Sequence, residues 1–158
     1  YLVRDGRDVM VSYFHHCRAE LKKEVAFIDV VRGKEVVWPY KWHEHVEAWL
    51  ENPYDAELLV IKYEDLQKDT VAELKRFCEF AGAEREDAFL EHVAKQASFQ
   101  KLQKKEIRDG SVAFPGWPKD QLFMRRGVVG SYKDEMPADV LETFLSDAEP
   151  TLRKLGYL

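Results

Sequence analysis

"YLVRDGRDVMVSYFHH", residues 1–16, passes from a short apolar run into a block of four charges and then into apolar positions at helical spacing. Tyr1 to Val3 predicts the end of a strand. Val9, Tyr13, His16, Cys17 and Leu21 predict a helix that follows at once, with Asp8 as its N-cap. A strand feeding a helix through a charged turn is the repeating unit of a parallel α/β sheet. Arg4 then falls at the carboxyl edge of the strand, where such sheets hold their ligands.

A second strand-to-helix unit lies further along. "ELLVIKY", Glu57 to Tyr63, has the continuous apolar character of a strand buried on both faces. Glu64 and Asp65 end it with charge, and Thr70-Val71-Ala72-Glu73 reads as a capping box opening a helix. Val71, Leu74, Phe77, Cys78 and Ala81 recur at helical spacing until Gly82 stops them.

Three further helices are predicted. Trp38, Trp42, Val46, Trp49 and Leu50 form an aromatic stripe closed by Asn52-Pro53; Phe89, Leu90, Val93 and Ala94 mark a helix from about Glu84 to Ala97; Val140, Leu141, Phe144 and Leu145 mark one from Pro137. Lys22 to Val37 and the polar segment Lys101 to Gln121 read as loops, and the second is long enough to suggest a functional role. Buried parallel strands need neighbours and helical crossovers, so two strands imply that residues before Tyr1 complete the sheet. The expected fold class is α/β with a central parallel sheet.

The 158 residues, 46% hydrophobic and 13% aromatic, have the composition of one globular domain. With 24 basic against 29 acidic residues the formal charge is −5, which argues against coating nucleic acid or an anionic membrane. No apolar run approaches a membrane span, and Tyr1 suggests a cut within a longer protein. Cys17 and Cys78 are far apart and sit inside amphipathic patterns, which favours a reduced, cytoplasmic setting and leaves a single disulfide open.

The candidate chemistry is anion binding. Arg4 at the strand end and Ser12 on the next helix would offer a guanidinium and a hydroxyl to one phosphate, aided by the helix N-terminus. A second suitable turn is "FMRRGVVGSYK", residues 123–133, where Arg125 and Arg126 precede Gly127 and Gly130. Glycine there permits close approach of backbone N–H groups to an anion. Surface ion pairs in the first turn and a solvated glycine turn in the second are the competing readings. Tyr63, closing the second strand, would offer a ring to a flat base.

Other chemistries have little support. His43 and His45 are two residues apart and face different sides of a helix, with no cysteine in a ligand pattern, so no metal site is predicted. His15 and His16 lack a serine and carboxylate arrangement and are expected to pack near the aromatic residues. No GxxxxGK[ST] and no GxGxxG occurs.

These segments resemble the cytosolic-type sulfotransferases that use 3′-phosphoadenosine 5′-phosphosulfate (PAPS) as donor and release adenosine 3′,5′-bisphosphate (PAP). "VRDGRDVMVSYFHH" is similar to their R-x-P-[RK]-D-x-x-x-S segment. "WHEHVEAWL" is similar to the H-V-x-x-W helix and "LLVIKYEDLQKDTVAELKRFCEFAG" to the Y-E-D-L unit. "FMRRGVVGSYKDEM" is similar to R-K-G-x-x-G-[DS]-[WY]-K. The order runs from Tyr1 to the closing "LRKLGYL", so residues 1–158 read as the C-terminal portion of one sulfotransferase domain with a three-layer fold similar to P-loop NTPases.

The resemblance implies that Arg4, Ser12, Arg125, Arg126 and the Gly127 N–H bind the 3′-phosphate of the donor. It implies that Tyr63, Ser98 and Phe99 contact the adenine, and that a small-molecule acceptor hydroxyl or amine receives the sulfuryl group. The phosphosulfate loop and the catalytic lysine and histidine are expected upstream of Tyr1, so these residues alone are expected to be inactive. Gly6 stands where the family often has proline, which would leave the loop less restricted. Pro137-Ala138 replaces Thr-Val in the K-x-x-x-T-V-x-x-x-E motif through which many animal members form homodimers. The alternatives are a non-catalytic nucleotide-binding or interaction module that keeps the fold, and a fragment of a P-loop kinase.

Overall fold

The computed structural model describes residues 1–34, 36–37, 41–110 and 117–158. In chain order the elements are β1 (Leu2–Val3), α1 (Gly6–Leu21), α2 (Phe27–Val31), α3 (Trp42–Glu51), β2 (Ile61–Lys62), α4 (Tyr63–Lys68) and α5 (Thr70–Phe80). They continue with α6 (Asp87–Gln96), α7 (Phe99–Asp109), α8 (Tyr132–Glu135) and α9 (Ala138–Lys154). The chain folds into two compact units: Tyr1–Val3 with Leu59–Gly127, and Arg4–Leu58 with Val128–Leu158.

The first unit contains the sheet. β1 and β2 run parallel, with Leu2 opposite Ile61 and Val3 opposite Lys62, as an α/β fold requires. The strand predicted from Glu57 to Tyr63 is shorter than its apolar run: only Ile61–Lys62 is strand, both half-buried, and Glu57 is exposed. Among the described residues β2 pairs along one edge only, with a two-residue partner, and its side chains are half-buried rather than enclosed on both faces. Tyr63 already opens α4.

Asp69 ends α4 and starts α5, its side chain accepting the Ala72 N–H at 3.0 Å. It therefore holds the cap position predicted for Thr70, whose hydroxyl donates back to the Leu66 carbonyl at 2.8 Å. Gly82 stops the helix as expected, at φ +61°. The segment Lys101 to Gln121 differs from expectation, because its first part belongs to helix α7. The Pro115-Gly116 part of that expectation lies outside the described residues.

The second unit holds the apolar core. α1, α2, α3 and α9 pack together and bury Val11, Cys17, Val30, Val46, Ala148 and Leu152 almost completely. The excursion predicted from Lys22 to Val37 contributes to this core, because α2 buries Phe27, Val30 and Val31, and Phe27 stacks on Phe14 with ring centroids 4.5 Å apart. The aromatic helix begins at Trp42; Trp38, expected in its stripe, lies outside the described residues. Pro137 is the N-cap of α9 and accepts the Leu141 N–H at 2.9 Å, a position that needs no donor from proline.

Gly6 is the first residue of α1 and is buried, so it is a packing position rather than a loosened loop. Among the described residues no helix is long and apolar enough to cross a membrane.

Candidate functional site

The four charges that open the chain sort into two pairs. Asp5, not Asp8, caps α1, accepting the Arg7 N–H at 3.0 Å. Its carboxylate also takes the Arg7 guanidinium through Nε at 2.9 Å and Nη2 at 2.7 Å. Both side chains are about nine-tenths buried. Arg7 goes on to donate to the Tyr157 carbonyl at 2.9 Å and lies 4.3 Å from the Tyr132 ring centroid. The competing reading of ion pairs with a cap holds for the pairing but not for the surface, because this pair is internal and ties the start of α1 to Tyr157.

Asp8 is fully buried and does something a cap residue does not. Its Oδ2 accepts from Arg4 Nη2 at 3.2 Å and from the Gly130 N–H at 2.7 Å. Its Oδ1 accepts from the Ser131 hydroxyl at 3.2 Å and from the Tyr132 N–H at 3.0 Å. Arg4 Nη2 donates in addition to the Val128 carbonyl at 2.8 Å. Residues 4 and 8, just before the N-cap and in the first turn of α1, thus shape the turn from Val128 to Tyr132.

Asp5 and Asp8 place two carboxylates in the first turn of α1 and Asp5 takes the Arg7 N–H, so the helix end expected to assist an anion already faces negative charge. Arg4 keeps a side chain 20% exposed. Ser12 is exposed and lies one further turn along the same stripe of α1 as Asp8. His15 packs its ring against Phe14 and sets Nε2 3.3 Å from Glu135 of α8, while His16 stacks on Tyr13.

In the first unit Ser98 and Phe99 stand at the start of α7, where Phe99 meets Gly127. Ser98 is the N-cap of that helix and donates its hydroxyl to the Lys95 carbonyl at 3.1 Å. Phe99 opens the helix, and its ring lies against the α-carbon of Gly127, leaving no room for a β-carbon. Gly127 has φ +63°, in the left-handed region that favours glycine. Arg125 is half-buried and Arg126 exposed. Tyr63 is half-buried at the carboxyl end of β2, and its hydroxyl accepts from Gln67 Nε2 at 3.1 Å.

Two residues that sequence reading missed hold the arginine turn in place. The buried Glu106 carboxylate accepts the Phe123 N–H at 2.6 Å and the Met124 N–H at 2.8 Å. Gln103 Nε2 donates to the Met124 carbonyl at 2.6 Å and the Arg125 carbonyl at 3.2 Å. Phe99, Gln103 and Glu106 recur at four and three residues, a helical period in which two of the three side chains are polar.

The family described as "Sulfotransferase domain" matches residues 1–156. Sulfotransferase 2A1 of Rattus norvegicus is 32% identical over 157 residues, a match covering 91% of this chain and 52% of the relative. Sulfotransferase 1C2 of Homo sapiens is 28% identical over 152 residues, covering 91% and 51%. The chain spans about half the length of the curated relatives it matches. Among solved structures, mouse sulfotransferase SULT7A1 complexed with PAP aligns with a TM-score of 0.75 and 27% identity, covering 97% of this chain and 57% of that one. Retinol dehydratase in complex with androsterone and inactive cofactor PAP aligns at 0.75 and 26%, covering 96% and 46%.

Proposed function

The chain belongs to the sulfotransferase domain family, and on that premise we propose that it supplies the donor-nucleotide contacts of a PAPS-dependent sulfotransferase. In this reading Arg4, Ser12, Arg125, Arg126 and the Gly127 N–H bind the 3′-phosphate, and Tyr63, Ser98 and Phe99 bind the adenine. The family assignment leaves the P-loop kinase reading without support.

One observation carries the proposal. Phe99 and Gly127 are in contact within one unit, so the pair proposed for adenine and the turn proposed for phosphate meet. The base and the 3′-phosphate of PAPS hang from the same ribose, and a protein that reads both needs those two segments side by side. Two aligned structures are complexes with PAP.

The proposed reaction is an in-line transfer. The sulfur–oxygen bond to the 5′-phosphate breaks and a bond from sulfur to the acceptor oxygen or nitrogen forms. A base takes the acceptor proton and PAP departs as the leaving group. The base and the phosphosulfate loop lie outside these 158 residues in this reading, and the acceptor is a small hydroxyl or amine compound.

The test is calorimetry with PAP and ADP on the full-length protein and its Arg4→Ala variant. PAP binds more tightly than ADP, and Arg4→Ala weakens PAP by roughly tenfold or more, since a charge-assisted hydrogen bond contributes about 1.5 to 3 kcal/mol. The acceptor KM moves less. Equal affinity for the two nucleotides would sink the proposal.

A further inference from the structure

We propose that Asp8 is a positioning residue for donor selection, acting through Arg4 without touching the nucleotide; this rests on the reading that Arg4 meets the 3′-phosphate. A carboxylate 3.2 Å from an anion-binding arginine is at first sight a liability, because it repels the same anion. Its surroundings resolve this. The Asp8 side chain is fully buried, and each oxygen accepts two hydrogen bonds. A carboxylate offers about four lone-pair sites, so its accepting capacity is used. It has none left for a ribose hydroxyl or for a proton in transit, which excludes direct ligand binding and general-base roles.

What remains is orientation. Arg4 Nη2 is shared between Asp8 Oδ2 and the Val128 carbonyl, so the guanidinium is fixed from two sides before any ligand arrives. An arginine held in its binding rotamer spends less conformational entropy on capture, and selectivity for the phosphate it faces rises accordingly. The same carboxylate fixes Gly130, Ser131 and Tyr132, so Arg4 and its carbonyl partner are set by one buried group. A plain structural staple would have the same contacts but a different energetic signature, because its loss would not depend on Arg4.

The experiment measures the affinity ratio of PAP to adenosine 5′-monophosphate, which differ only in the 3′-phosphate, by calorimetry on the full-length protein. Four versions are compared: parent, Asp8→Asn, Arg4→Ala and the double variant. Asp8→Asn lowers the ratio about tenfold in the parent and by less than about twofold when Arg4 is already alanine, the non-additivity of residues acting through one another. An unchanged ratio with lowered thermal stability, or an equal fall in both backgrounds, overturns the inference. If the parent does not discriminate the two nucleotides, or Arg4→Ala leaves the ratio alone, the underlying functional reading fails instead. Should Asp8→Asn not fold, Ser131→Ala removes one donor and keeps the carboxylate. It lowers the ratio about two- to threefold in the parent only, and no change there overturns the inference.

Discussion

The Trp42 indole lies so close to Gly6 that a β-carbon on residue 6 would sit 2.5 Å from the ring, with Phe144 2.7 Å away on another side. The two rings are themselves packed at a centroid distance of 5.9 Å. Gly6 is therefore the point where α1 admits α3 and α9.

Gly6→Ala weighs two opposed effects. Alanine improves on glycine in a helix by about 1 kcal/mol at most, whereas forcing a methyl into two aromatic rings of a filled core costs about 1 to 3 kcal/mol or more. The clash wins, and the urea midpoint falls. An unchanged or raised midpoint would show that the rings can give way.

Gly127→Ala combines two costs. Its left-handed backbone disfavours alanine by about 1 to 2 kcal/mol, and the new methyl also meets the Phe99 ring. In a Phe99→Ala background only the backbone part survives. Thermal unfolding of the single and double variants should give a coupling of about 1 kcal/mol or more; simple additivity would mean that the ring moves aside.

The Glu47 carboxyl is held below its ordinary value, first by the hydrogen bond from Lys154 Nζ at 2.6 Å and further by Thr151, with burial opposing. A lowered folded-state value contributes stability above the ordinary glutamate range and loses it as pH falls through the lowered value. Lys154→Met therefore reduces the thermal midpoint at pH 7, and the gap closes in acid below the reference value of 4.5. The pair is partly solvated, so the effect is about 1 kcal/mol or less and shrinks with salt. A gap that persists in acid would assign the loss to the lysine stem's packing.

The two thiols should separate by reactivity. Both are free; Cys17 is fully buried and its pKa is raised, chiefly by that burial, whereas Cys78 is half-exposed. Ellman's reagent in native buffer labels one thiol promptly, and the second follows only on unfolding. Cys78→Ser removes the fast phase; a fast phase that survives it would place Cys17 within reach of solvent.

The parts of the fold legible in the sequence were those written in apolar periodicity. α5, α6 and α9 stood out because Leu74, Leu90 and Phe144 and their neighbours repeat at helical spacing. α7 did not, since its inward face is Phe99, Gln103 and Glu106, and the last two bind backbone groups rather than a core. α2 has only five residues, too few for a period to register. The caps lie at Asp5 and Asp69 rather than at Asp8 and Thr70, because nearby cap-competent residues offer the same chemistry until backbone angles separate them. The phosphate and adenine candidates were readable as motifs. Glu106 and Gln103 were not, and Asp8 stood in a motif without showing its four donors, because the task of all three is to bind the protein itself.

The unit that contains Asp8 is interrupted in sequence, its two segments separated by Leu59–Gly127. On a ribosome the first segment emerges with a buried-to-be carboxylate whose partners Gly130, Ser131 and Tyr132 have not yet been translated, and Arg7 waits longer still for Tyr157. Closure of such remote contacts is entropically late. Nascent chains stalled before residue 128 should therefore leave the α1–α3 surface open to chaperones, until α9 completes the core that α1 begins.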